Sequence, residues 1–201
     1  MRFRNAVGAL TGAGLVLGFG GLATASAQQA PPIELKVGDM APVFEGLADN
    51  GQTWNSQEGR AGKLLVVYFY PAAMTGGCTA QACMFRDDRT KLLDMGAEVV
   101  GVSGDRIANL KAFKGSNRLN FPLLSDTAGV IAQAFGVPTS AGGTIKREVD
   151  GQEIELTRDV TAARWTFIIG RDGRIVFKET EVDPAGDSKA VLAAIERLSS
   201  R

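Results

Sequence analysis

Both cysteines of the 201-residue chain lie in one short stretch, "YPAAMTGGCTAQAC", residues 70–83. Cys78 and Cys83 are set five positions apart, which is not the Cys-x-x-Cys spacing of a thioredoxin-type redox motif. A structural zinc site is excluded as well, since zinc takes four ligands and this sequence offers two thiols and no histidine. The segment ahead of Cys78 is an apolar run ending at Pro71, and a helical period begins at about Cys78 itself. A thiol there faces the free N–H groups and the positive dipole end of a helix's first turn, which favour an anion. The thiolate is the nucleophilic form of cysteine. Gly76 and Gly77 let the backbone pass close to a small substrate, and the Thr75 hydroxyl can both donate and accept. The chemistry indicated is thiol-based nucleophilic or redox work, to be weighed against a structural disulfide.

Helix geometry bears on that choice. Five residues of continuous α-helix turn about 500°, leaving the two side chains about 140° apart, and separate the Cα atoms by about 8.5 Å. A disulfide needs Cα atoms within about 7 Å and converging Cβ vectors. The two thiols therefore cannot bond while a helix runs through both, and oxidation is expected to unwind its first turns. A static disulfide requires that the segment not be helical.

The surrounding elements read as follows. "VFEGLADNGQTWN" (43–55) carries Asn50-Gly51 between two extended stretches, a hairpin signal. "KLLVVYFY" (63–70) is a buried strand. Residues 78–95 form a helix burying Ala82, Phe85, Leu92, Leu93 and Met95, with "RDDR" (86–89) mostly toward water in local ion pairs. "AEVVGVS" (97–103) is a second buried strand, 106–114 a helix, and "FPLLSD" (121–126) a short strand whose Asp126 caps a helix over 127–135. "RWTFIIG", Asp172-Gly173 and "RIVFKE" (164–179) give strand, turn and strand, with Trp165 and Phe167 in the core, and 187–198 is an amphipathic helix. Residues 138–163 read as an excursion, a hairpin rather than a second domain. Alternating strands and helices specify an α/β fold.

The N-terminus has Arg2 and Arg4, a Gly/Ala/Leu-rich run and then Ala25-Ser26-Ala27, the order of a secretory signal with cleavage after Ala27. An uncleaved membrane anchor is the alternative, since about 20 apolar residues span a bilayer. Residues 28–36 form an exposed leader, leaving 37–201 as one domain. The expected location is periplasmic or secreted, without stable membrane insertion after processing. The formal net charge of zero points to no nucleic-acid partner.

Pro71-x-x-x-Thr75-x-x-Cys78 resembles the active-site signature of the peroxiredoxins. "GVSGD" (101–105), "LNFPLLSD" (119–126), "FGV" (135–137) and "RWTFIIGRDGRI" (164–175) are similar to framework segments of that family, in the same order. A second thiol five residues after the first resembles the Q-type subgroup, the bacterioferritin comigratory proteins. The resemblance covers residue 36 to the C-terminus, apart from 138–163. It implies a thioredoxin-like α/β fold, with a central mixed sheet flanked by helices, and a thiol peroxidase acting on hydrogen peroxide and organic hydroperoxides. It further implies that Cys78 is the peroxidatic cysteine, that Thr75 bonds thiolate and peroxide, and that Pro71 shields the site. Arg164 would stabilise the developing charge, the N–H groups of Gly77 and Cys78 would complete the cradle, and Cys83 would resolve the sulfenic acid. No metal or organic cofactor is implied; the reductant would be a thioredoxin-like dithiol, and the chain a monomer or weak dimer.

Departures from the subgroup are Gly76 where proline is usual, Gln81 where glutamate is usual, and Ala72-Ala73-Met74 where polar residues are common. The last suggests an apolar approach suited to alkyl hydroperoxides. Two other classes compete: an exported thiol–disulfide oxidoreductase of thioredoxin type, which would show Cys-x-x-Cys, and a noncatalytic thioredoxin-like binding domain, which would not need Thr75, Cys78 and Arg164 together.

Overall fold

The apolar run after Lys63 forms strand β3 (Leu64–Phe69), buried along its whole length. In a computed structural model that describes residues 33–149 and 151–200, this strand lies within a mixed sheet of seven. The expected signal segment, and the leader up to residue 32, lie outside the described residues. The other strands of the sheet are β1 (Glu45–Ala48), β2 (Thr53–Asn55), β4 (Ala97–Ser103), β5 (Leu123–Ser125), β8 (Trp165–Ile169) and β9 (Ile175–Glu179), in the order β2-β1-β5-β4-β3-β8-β9. Strand β3 pairs parallel to β4, from Leu64 opposite Ala97 to Phe69 opposite Val102, and antiparallel to β8, from Leu65 opposite Ile169 to Phe69 opposite Trp165. The Asn50-Gly51 signal is met by the β1–β2 turn, where Gly51 takes a left-handed φ of 80°.

A strand with both faces covered divides its side chains between two cores. Leu64, Val66, Tyr68 and Tyr70 face a layer made by helices α2 (Gly76–Asp87), α3 (Arg89–Asp94), α4 (Ile107–Asn117) and α6 (Asp187–Ser199). Leu65, Val67 and Phe69 face the other layer, with Phe135, Phe167 and residues of α5 (Val130–Ala134). Short α1 (Ser56–Arg60) completes the helices among the described residues. Tyr68 stacks on Phe85 of α2 with ring centroids 4.9 Å apart. Each large side chain removed from water in this way contributes about 1.5–3 kcal/mol, which seats α2 firmly over the end of β3.

Several expectations need correction. The helix of 78–95 begins at Gly76 and is interrupted at Asp88, which has φ −87° and ψ 1°. Asp88 is buried rather than solvated, accepting from Ser188 Oγ at 2.8 Å and from Lys91 Nζ at 2.8 Å. Arg89 turns to Glu98 of β4 at 3.1 Å, while Leu93, expected in the core, is exposed. Asp126 accepts from the first-turn N–H groups of Ile131 and Ala132, but it is not the residue next to the helix: α5 is shorter than 127–135, starting at Val130 with Gly129 at its N-cap. Of the leader's described residues, Leu35 is half-buried and packs on the core.

The excursion of 138–163 is a long hairpin, β6 (Thr139–Val149) and β7 (Gln152–Ala162), pairing as a separate two-stranded sheet. It docks on the end of β4 and the start of α4. Asp159 N–H donates to Gly104 O at 3.0 Å, and Asn109 Nδ2 donates to Thr157 O at 2.7 Å. Gly104 permits this approach, because a Cβ there would sit 2.1 Å from the Val160 carbonyl oxygen.

Candidate active site

The turn from β3 to α2 carries the motif, and buried polar contacts fix its path. Ala73 N–H donates to Asp105 Oδ2 at 2.8 Å, and Asp105 also accepts from Ser103 Oγ and Asn109 Nδ2. Met74 adopts a left-handed φ of 60°, a conformation disfavoured for a residue with a Cβ. Its carbonyl accepts from Arg147 Nε of the hairpin at 2.9 Å, and its sulfur lies 3.7 Å from Asn117 Nδ2. Ala72 and Ala73 are buried in the core, so they form no apolar approach to the site. Met74 is half-buried against the same core, so of residues 72–74 only its side chain retains exposed apolar surface. Pro71 is half-buried and lines a groove of about 340 Å³ with Pro138, Thr139, Ser140 and Thr161–Ala163.

Cys78 is the third residue of α2, 1% exposed. The first helical bond runs from Thr79 N to Thr75 O at 2.8 Å, so the N–H groups of Gly76, Gly77 and Cys78 precede the helical ladder. Arg164, just ahead of β8, places Nη2 3.3 Å from Cys78 Sγ. The structure thus brings Cys78, Arg164 and the helix N-terminus together, as expected. It does not bring in the Thr75 proton: that hydroxyl donates to Ala72 O at 2.8 Å, leaving its oxygen free only to accept. Gly77 is exposed beside the arginine. Cys83 lies on the same unbroken α2, half-buried, with Sγ 3.9 Å from Asn117 Oδ1, and both thiols are free.

Behind the arginine stands a buried chain of polar groups. Arg164 Nη1 donates to Gln81 Oε1, and Gln81 Nε2 donates to Asp187 Oδ2 at 2.6 Å. Thr166 Oγ1 donates to the same carboxylate oxygen at 2.8 Å, while Asp187 Oδ1 is buried without a partner among the described residues. Burial raises the Asp187 carboxyl above the usual range, against the lowering pull of the Gln81 and Thr166 bonds and the Arg164 charge; Glu179 adds a smaller upward push. Burial likewise pushes the Tyr68 phenol well up, with the nearby Cys78 charge adding to it. The sequence marks Gln81 only as a departure and Thr166 only as a strand residue. Asp187 escapes a reading of the sequence because an acid in the first turn of an amphipathic helix has the pattern of an ordinary dipole partner.

The AhpC/TSA family model matches residues 37–178, most of the described chain. The chain belongs to the AhpC/TSA family. Curated relatives agree: it is 40% identical over 164 residues to the chloroplastic peroxiredoxin Q of Suaeda salsa, covering 76% of this chain and 69% of that one. To the chloroplastic peroxiredoxin Q of rice (Oryza sativa subsp. japonica) it is 46% identical over 110 residues, 51% of each chain, so the match spans about half the length of that relative. Among solved structures, peroxidoxin BcpB of Mycobacterium tuberculosis superposes with a TM-score of 0.69 at 30% identity, over 82% of this chain and 99% of that one. The thioredoxin-like fold of this AhpC/TSA protein is therefore shown by sequence and by structure.

The raised Asp187 carboxyl gives a pH prediction. Asp187 holds its proton in the folded chain over a range where the unfolded chain has lost it. Its contribution to stability is therefore fully present below the ordinary carboxylate pKa of about 3.9 and declines as pH rises toward the folded value, by about 1.4 kcal/mol per pH unit across that window. Urea unfolding of the parent and of Asp187→Asn as a function of pH should show the parent losing ground to the variant as pH rises; a constant difference would contradict the assignment.

Proposed function

We propose that this AhpC/TSA protein is a thiol peroxidase of the peroxiredoxin Q type, an oxidoreductase reducing hydrogen peroxide and organic hydroperoxides with a thioredoxin-like dithiol as final reductant. The observation that carries the reading is the guanidinium of Arg164 at 3.3 Å from the Cys78 sulfur, at the first turn of a helix that also holds Cys83. The Cys78 thiolate attacks one peroxide oxygen. The O–O bond breaks, the leaving hydroxide or alkoxide takes up a proton, and Cys78 becomes a sulfenic acid. Arg164 and the N–H groups of Gly77 and Cys78 face the negative charge as it moves from sulfur to oxygen. Thr75, its proton committed to Ala72, would accept a hydrogen bond from the incoming peroxide.

Cys83 then attacks the Cys78 sulfur, forming the disulfide and releasing water. With α2 continuous from Gly76 to Asp87, the sulfurs meet only after its first turns unwind. An external dithiol reduces the disulfide by exchange and the helix re-forms. The thioredoxin-type oxidoreductase reading lacks its two closely spaced thiols, and no contact in the site favours it.

Export to the periplasm rests on the sequence of residues 1–27 alone. Intact mass of protein recovered from the periplasmic fraction should correspond to a chain starting at Gln28; a chain retaining Met1 in the cytoplasm would refute export.

One equivalent of hydrogen peroxide added to the reduced protein should consume both thiols with loss of two hydrogens in mass. Cys83→Ser should stop at a sulfenic acid and Cys78→Ser should not react. Arg164→Ala should lower the rate by about a hundredfold, the scale for losing one charge-stabilising donor. Thiols that survive, or react no faster than free cysteine, would defeat the peroxidase reading. Separately, hydrogen exchange should show residues 78–90 losing protection on oxidation, and equal protection in both redox states would rule out the unwinding step.

A further inference from the structure

Three elements meet behind Arg164. From α2 come Cys78 and Gln81, three positions apart and so on one helical face. From the β8 segment come Arg164 and Thr166, two positions apart and so on one face of the sheet. From α6 comes its first residue, Asp187. Gln81 is fully buried, Thr166 likewise, and Asp187 is 2% exposed. Their bonds form one directed chain: Thr166 and Gln81 donate to Asp187, Arg164 donates to Gln81, and the second arm of Arg164 reaches the Cys78 sulfur.

A side-chain amide can be turned end for end, and its partners decide which way it stands. A guanidinium only donates and an ionised carboxylate only accepts. Gln81 between the two has a single satisfied orientation, with its NH₂ on Asp187 and its oxygen on Arg164. Turned over, it would set two donors against each other at Arg164 and two acceptors against each other at Asp187. Thr166 fixes the carboxylate oxygen that takes the amide. The glutamate that the resemblance leads one to expect at position 81 would stand where Gln81 bonds Asp187 at 2.6 Å, setting two carboxylates in contact so that one must hold a proton. Gln81 and Asp187 are matched to each other.

We propose that Asp187 is a positioning residue for the Cys78 chemistry: acting through the Gln81 amide, it holds the Arg164 guanidinium on the reactive sulfur. The carboxylate braces the arginine from beyond Gln81, without itself sitting beside the thiolate, where its charge would oppose thiolate formation. The inference rests on the peroxidase reading for its kinetic consequence, but not for the geometry it claims.

Exchanging the two functional groups tests it. Asp187→Asn removes the charge and leaves an amide that can present either its oxygen or its NH₂ to Gln81, so residue 187 no longer fixes the Gln81 orientation, and Gln81→Glu apposes two acids. The double variant Asp187→Asn/Gln81→Glu restores a complete chain with the groups swapped. Thr166 and position 81 meet the same atom of residue 187, so the amide, now on α6, sets its NH₂ there: it donates to the carboxylate, now on α2, and to Thr166 Oγ1, which turns from donor to acceptor, while the carboxylate accepts from Arg164. The rate of Cys78 oxidation by hydrogen peroxide, followed in stopped flow through Trp165 fluorescence, is expected to fall about tenfold in each single variant and to return to within about threefold of the parent in the double. A residue that only stabilises the fold would move the melting temperature and leave this rate unchanged in the folded fraction. A rate for Asp187→Asn within about twofold of the parent, or a double variant no faster than the slower single, overturns the proposal. The comparison of Gln81→Glu with the double variant stands even where Asp187→Asn alone is too unstable to assay. Nitrogen-edited proton NMR of the Arg164 guanidinium gives a readout independent of peroxide. Its protons should be protected from exchange in the parent and the double variant and exchange freely in Asp187→Asn. A parent unreactive to peroxide with this pattern intact would sink the function and keep the brace, whereas unchanged Arg164 protons in a reactive Asp187→Asn would do the reverse.

Discussion

One guanidinium is shared between a sulfur and an amide, and much of the fold serves to keep it there. Arg164 reaches Cys78 only because β8 lies next to β3, so that the arginine entering β8 stands beside the helix leaving β3. That adjacency is antiparallel, with Phe69 at the end of β3 opposite Trp165 at the start of β8. A one-residue slip of β8 would turn Arg164 to the other face of the sheet, towards Phe69 and Phe135, and turn Phe167 out of that core. The alternation along β8 opposes the slip, since it would carry Thr166 away from Asp187 into the apolar core and exchange the occupants of both cores.

The second constraint is that α2 must be stable and yet breakable. Its later part is anchored by Phe85 against Tyr68 and, at its end, by Asp88 against Ser188 of α6. Its first turn is two glycines followed by Cys78, and the side chain of its N-cap Thr75 makes no capping bond. Glycine is weakly helical, and an uncapped end forgoes about 1 kcal/mol. The helix is therefore weakest where the proposed Cys78–Cys83 disulfide would require it to open. The polar chain from Arg164 through Gln81 to Asp187 closes over that weak end, so the contacts that hold the guanidinium on sulfur also hold the helix shut.

What can be read from the sequence follows from the range of the forces involved. The β3 run, the Asn50-Gly51 turn, the Asp126 cap and the position of Cys78 at a helix start are local patterns, and each is legible. Asp88 and Asp187 are not. Each is an acid whose helical setting suggests solvent or a dipole, and each is buried by a partner about a hundred residues away along the chain, Ser188 for one and Gln81 for the other. Ala72 and Ala73 mislead for the same reason. Whether such residues line an approach or fill a core depends on Asp105, which binds the Ala73 amide from beyond the end of β4. The resemblance supplies Arg164, which no local pattern would have singled out.

The hairpin that resists alignment belongs to this scheme through Met74. A left-handed methionine costs about 1–2 kcal/mol and persists only where its surroundings over-determine it. Here Arg147 of β6 takes its carbonyl, Asn117 of α4 approaches its sulfur, and Asp105 holds the preceding amide back. Asn117 also accepts, through its backbone oxygen, from Arg86 of α2 and lies against the Cys83 sulfur. The hairpin, docked on β4 and α4 by Gly104 and Asn109, thus holds the loop before Cys78 through a contact separate from α6. The turn that aims the helix N-terminus has two grips on it: α6 through the polar chain, and the hairpin through one backbone carbonyl. Opening the first turns of α2 releases Gln81 from the first grip while leaving the Asp105 anchor of the loop in place. In the proposed cycle the helix would then re-form from a fixed starting point once the disulfide is reduced.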